Sequence, residues 1–243
     1  MSQSSSGFSF ARNWWKITAV LLVFYSIVRG FLGEVPRLPI LHESIRNLYF
    51  HVTMWFSMMF ILGVSLWYSL RYLNTRNVVD DIKASAYANI GILLGILGII
   101  TGSLWAKFTW GGWWVNDPKL NGAAISILIY FAYLILRGSL DEEQKRARVS
   151  AVYNIFAFVL LMVFLMVYPR LNNVDSLHPG NGGNPGFGGY DLDKNMRIVF
   201  YPAIIGWILI GLWLADLGIR IEKLRHQKLQ SFFTFSETAQ DVI

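Results

Sequence analysis

Trp105, Phe108, Trp110, Trp113 and Trp114 crowd one short segment, residues 105–120, which holds four of the chain's ten tryptophans. Two glycines, Gly111 and Gly112, remove bulk beside the rings, and Asp117, Pro118 and Lys119 set a turn directly before a hydrophobic run. Rings held on a turn make a platform, and broad aromatic faces stack on a flat apolar ligand. The N–H groups of a helix start, with Lys119 beside them, attract an anionic group. A planar, amphiphilic, acidic ligand such as haem suits that combination. The competing reading is an aromatic belt, because tryptophan also favours the membrane–water interface.

Histidine is the other residue type that carries chemistry here, since the chain has no cysteine. Without thiols there is no disulfide chemistry, no cysteine-ligated metal and no C-x-x-C-H haem attachment within the chain. Of the four histidines, His226 lies in a basic tail and reads as solvated. His51 falls in the first turn or so of an apolar run, where an ionisable group is costly and requires a reason. His42 precedes it in a Pro-containing loop and ranks second. His178 opens a long Gly-, Asn- and Pro-rich connection, too irregular for regular structure, and such loops are commonly functional or disordered. Neutral imidazole is a standard axial ligand of haem iron, so His51 and His178 could hold iron above the tryptophan platform.

The elements that must position these groups follow from composition. The 243 residues are 54% hydrophobic and 15% charged, with mean hydropathy +0.43, which excludes disorder and points to a polytopic membrane protein. A crossing needs about 20 apolar residues, and six such windows occur, at about 14–31, 48–68, 84–106, 120–136, 149–168 and 198–217. The expected fold is all-α, a single membrane domain over 1–243 with six transmembrane helices. Thirteen Lys and Arg fall on the side holding the N-terminus and seven on the other, so the positive-inside rule predicts N-in and C-in, with the tryptophan loop outward. The first run carries positive charge before it but no small-residue cleavage site after it, and reads as an uncleaved anchor. The net charge of +6 is thereby topogenic; no concentrated basic patch calls for nucleic acid. No P-loop occurs.

The segment Trp110-Gly111-Gly112-Trp113-Trp114-Val115-Asn116-Asp117, followed by Pro118-Lys119-Leu120, resembles the WGxWWxWD-[AP]-[RK]-L-T pattern of the tryptophan-rich haem-handling family. Arg46 to Val52 and Leu177-His178 extend the likeness over most of the chain. Six spans resemble the haem exporter C subunit of cytochrome c maturation more than the longer relatives. The resemblance implies haem b as transported ligand, with His51 and His178 as axial ligands and Trp110, Trp113, Trp114 and Asp117 as its platform. It further implies delivery to a periplasmic haem chaperone, an ABC-type transporter ATPase with its membrane subunit as partners, and a bacterial inner-membrane location in contact with lipid. Asn116 departs from the pattern's last Trp, Asn121 from its Thr, and Thr53 from a Pro. Loss of one ring removes on the order of 1 kcal/mol of stacking. Arg46, Lys119 and Arg170 are the candidate partners of the propionates. The expected function is non-enzymatic haem binding and transfer. Two other classes remain: a quinol-oxidising membrane cytochrome b, which would want histidines at the centre of spans, and a structural subunit of a membrane assembly.

Overall fold

The computed structural model describes residues 10–39, 41–171, 174–178 and 192–240, and of 10–12 and 229–240 the backbone alone. Among them are six long helices: α1 Phe10–Leu32, α2 Leu48–Thr75, α3 Val78–Trp110, α4 Pro118–Gly138, α5 Glu143–Met162 and α6 Lys194–Gln240. Each contains a stretch long and apolar enough to cross a bilayer. The α5 helix passes into one π turn, Val163–Val167, and one 3-10 turn, Tyr168–Arg170.

The helices outrun the apolar windows. At about 1.5 Å per residue, the 33 residues of α3 reach roughly 50 Å, against about 30 Å of hydrocarbon. Trp105, Phe108 and Trp110 consequently ride on the last turns of α3, and not on a connection over 105–120 as expected. Aromatic residues do not break a helix; the first residue that does is Gly111, whose φ of 79° gives a left-handed C-cap. The connection proper is 111–117. At its far end Asp117 caps α4 through Lys119 N and Leu120 N (2.9 and 3.2 Å), with Pro118 at the first helical position.

Apolar burial gives little drive between helices in lipid, so close approach and internal polar bonds must hold the bundle. The α2–α3 contact is the tightest, because Gly91, Gly95, Gly98 and Gly102 line one face of α3. A Cβ on Gly91 would strike Leu62, on Gly95 Met58 and Ile127, and on Gly98 the Trp55 ring at 2.9 Å. Polar bonds cross the same core: Ser65 Oγ donates to Ala84 O (2.6 Å), and Asn154 Nδ2 on α5 donates to Ser65 and Ser69 Oγ, both at 2.8 Å. Within α6, Pro202 has no N–H for the carbonyl of Ile198, and the Tyr25 hydroxyl on α1 reaches that oxygen at 3.5 Å.

One end of the bundle is closed by ion pairs. Arg137 on α4 donates two bonds to buried Asp81 on α3 (2.7 and 2.6 Å), and Arg71 meets buried Asp80 at 3.1 Å. The opposite end carries the tryptophans and the His51 and His178 side chains. Removing one partner of a buried pair strands the other, so Arg137→Ala should cost about 3–5 kcal/mol. Paired apolar replacement of Asp81 and Arg137 by Leu and Met should recover most of that loss. Denaturant titration of the three proteins in one detergent checks the difference.

Candidate functional site

His51 is the fourth residue of α2 and turns toward the glycine face of α3. Its Nδ1–H donates to the Gly98 carbonyl at 3.0 Å, with Thr101 Oγ1 3.4 Å away. That bond leaves Nε2 as the ring's acceptor atom, and no hydrogen bond engages Nε2 among the described residues. Trp55 and Trp105 meet the imidazole edge-on, with centroids 6.2 and 5.9 Å away. Trp105 is itself fixed, its Nε1–H donating to Ser44 Oγ at 3.0 Å, and Asn47 Nδ2 bonds Thr101 O at 2.9 Å. Room for the imidazole exists only because residue 102 is glycine: a Cβ there would lie 2.5 Å from His51 Cε1.

Asp117 organises the other half. Its Oδ1 caps α4 and accepts from His178 Nδ1 at 3.0 Å, while Oδ2 accepts from Ser176 Oγ and Leu177 N at 2.9 and 2.7 Å. One buried carboxylate thus ties the start of α4 to the segment 174–178. Burial opposes its ionisation, but the bonds from His178, Leu177 and Ser176 outweigh burial and hold the carboxyl well below the usual carboxylate range. His178 donates through Nδ1, as His51 does, and keeps Nε2 as its acceptor atom. The Trp110 ring meets it edge-on at 4.9 Å.

The two imidazoles therefore address one end of α3 at successive levels, His51 around Gly98 to Trp105 and His178 at Trp110. They are near enough to act on one another electrostatically, and Lys119 acts on His51 as well. Phe108, Trp113 and Trp114 are exposed. Trp114 Nε1–H donates to Asn121 Oδ1 at 3.2 Å, and Asn121 Nδ2 donates to Asn116 Oδ1 at 2.8 Å. The two asparagines that depart from the family pattern are thus bonded to each other and to one ring of that pattern. His42 is exposed, and its backbone closes a turn onto Leu38; it takes no part in this cluster. His226 faces Glu143 at the ion-pair end. The remainder of the Gly-rich connection, residues 179–191, lies outside the described residues.

The family model for Heme exporter protein C matches residues 4–232 of the chain. The chain belongs to the Heme exporter protein C family. Among curated members it is 29% identical over 184 residues to the Heme exporter protein C of Bradyrhizobium diazoefficiens, covering 76% of this chain and 68% of that one. It is 27% identical over 211 residues to that of Rhodobacter capsulatus, covering 84% and 79%. A shorter stretch of 86 residues is 41% identical to the Cytochrome c biogenesis protein CcsA of Prochlorococcus marinus, covering 35% of this chain and 27% of that one.

Sequence reasoning overlooked Trp55, Thr101, Gly98 and Gly102 around His51, and Ser176 beside Asp117. The glycines were detectable, because Gly91, Gly95, Gly98 and Gly102 share one helical face and small residues at such spacing mark close helix contacts in membranes. Two tests follow from this geometry. Gly102→Ala should displace the His51 ring while leaving the bundle folded, which the His51 side-chain NMR shifts and a parallel unfolding curve measure together. Asp117→Asn should loosen residues 174–178, since an amide nitrogen cannot accept from Ser176 and Leu177; hydrogen exchange there should rise at least tenfold. In the native protein the folded carboxyl titrates below its unfolded value of about 4. Its stabilising contribution is complete above that value and is lost only as pH falls through the lower folded value. Protection of 174–178 should accordingly be level between pH 7 and 5.

Proposed function

We propose that the aromatic end of this bundle binds haem b, with His51 and His178 as the axial ligands of its iron, and passes it to a periplasmic haem chaperone. Membership of the Heme exporter protein C family gives the chain a role in haem handling during cytochrome c maturation at the membrane. The observation that supports the assignment of ligands is the shared state of the two rings. Each has Nδ1 tied down, one to a backbone carbonyl and one to a carboxylate, and each presents Nε2. Metal-binding histidines are commonly arranged in this way, because the second hydrogen bond sets the tautomer, orients the ring and raises its basicity.

The neighbouring residues suit the rest of the cargo. Trp110 stands against His178, and the exposed rings of Trp113 and Trp114 offer faces to a macrocycle. Of the three cations considered for the propionates, Arg46 ties down the end of α1, donating to the carbonyls of Gly30 and Gly33 and pairing with Glu43. Arg170 likewise donates to the Met166 carbonyl at 2.7 Å, and Lys119 acts on both Arg170 and Asp117, so all three stay candidates. Lys and Arg distribution orients the bundle N-in and C-in, which puts this site at the outer face of the bacterial inner membrane. No bond-making step is assigned to the chain; it is a carrier, and its energy input comes from an ABC-type transporter ATPase with its own membrane subunit.

Transfer requires an incomplete grip, and the two ligands are held unequally. His51 is built into a helix packed on α3, whereas His178 stands on a connection held through Asp117. Release would therefore begin at His178. Visible spectroscopy of purified variants checks the assignment. His51→Ala and His178→Ala should each lose low-spin haem, added imidazole should restore the low-spin spectrum, and His42→Ala should match the parent. Loss of low-spin haem in the His42 variant, with His51→Ala unaffected, would overturn the ligand set. Trp113→Ala and Trp114→Ala should each weaken haem retention by about 1–3 kcal/mol, the scale of stacking on aromatic side chains. Asn121→Ala, which releases Trp114 but removes no ring, should cost less than Trp114→Ala; haem dissociation rates into an excess of apo-globin give the order.

A further inference from the structure

At the end of the bundle opposite the histidines, a groove of about 950 Å³ runs from the α2–α3 turn down the first half of α5. Its mouth holds Arg76, Lys145 and Arg148, none of which forms an ion pair among the described residues. Two carboxylates, Glu142 and Glu143, also stand at the mouth, and Glu143 lies 4.0 Å from His226 on α6. Farther along, the wall is apolar and open to the bilayer, formed by Val149, exposed Val152 and exposed Phe156. The groove is therefore amphipathic along the membrane normal, cationic at the helix ends and apolar below.

Its length and its polarity decide between occupants. From Gln144 to Phe156 the helix advances about 18 Å, close to the roughly 15 Å thickness of one hydrocarbon leaflet. A purely apolar helix laid along the wall would leave the cations at the mouth without a counter-charge. A lipid with a phosphate at the mouth and a chain on the wall matches both the length and the polarity. Arg76 stands at the groove's rim as the left-handed C-cap of α2, with φ of 56°.

We propose that this groove is a binding site for one anionic phospholipid of the leaflet opposite the histidine site, its phosphate held by Arg76, Lys145 and Arg148 and one acyl chain lying along Val152 and Phe156. The haem reading plays no part in this assignment. Opposite charge at a membrane edge makes such pairs selective for headgroup charge.

Native mass spectrometry of the full chain tests it, with phosphatidylglycerol and phosphatidylcholine of identical acyl chains added in equal amounts. One phosphatidylglycerol should be retained at least tenfold over phosphatidylcholine. The triple variant Arg76→Asn, Lys145→Gln, Arg148→Gln should lose that preference. Asn is chosen at 76 because it tolerates the left-handed backbone. If the triple variant does not fold, the three single variants replace it, each expected to lower the preference several-fold. Equal retention of the two lipids, an unchanged preference in folded variants, or a tightly bound partner helix that excludes lipid would each overturn the proposal.

Discussion

Apolar side chains gain little by leaving lipid for protein, whereas a backbone or side-chain polar group left unpaired in hydrocarbon costs several kcal/mol. The bundle depends on that asymmetry. Its helices are held by surfaces that let backbones approach, the glycine face of α3 above all, and by polar groups that find partners across the core, such as Asn154 with Ser65 and Ser69. The same face then serves the site. Where Gly91 and Gly95 admit Leu62, Met58 and Ile127, Gly98 and Gly102 admit Trp55 and His51. Packing and the placement of His51 are thus one structural feature continued along one helix.

The site has two halves of different construction. His51 is positioned by helices, with its hydrogen-bond acceptor in the backbone of α3 and two indoles against its ring. His178 is positioned by a single carboxylate that also caps α4. Both routes fix the tautomer, but the first depends on the whole bundle and the second on a local clasp. A carrier must hold its cargo in one state and give it up in another. Under the proposed haem assignment, unequal support of the two histidines provides that difference without any moving domain.

Much of the fold was legible in residue order. Six apolar runs of sufficient length, basic residues biased to one side and a turn at Asp117-Pro118 follow from local rules that need no knowledge of neighbours: hydrocarbon thickness, charge at membrane edges and helix capping. The same rules rank His51 above His42 as a candidate, since one lies in an apolar run and the other in a Pro-containing loop. Membership of the family rests on a match over residues 4–232 and is equally a property of the sequence. Helix length was the weaker reading. Hydropathy marks where lipid ends, but the helix continues until a residue such as Gly111 stops it, and so Trp105 and Trp110 stand on helix α3.

Only the tertiary structure decided which groups meet. Nothing in local sequence pairs His178 with Asp117, 61 residues away, or sets His51 on Gly98, 47 residues away. Those pairings follow from how α2 packs on α3 and how the segment after α5 is brought to the start of α4. The same holds for Asn116 and Asn121, which as letters are two separate departures from a motif and in space are one hydrogen-bonded unit at Trp114. Residue types set what chemistry is available and local rules set the helices. The contact between a histidine and the atom that orients it is long-range in sequence, and packing alone determines it.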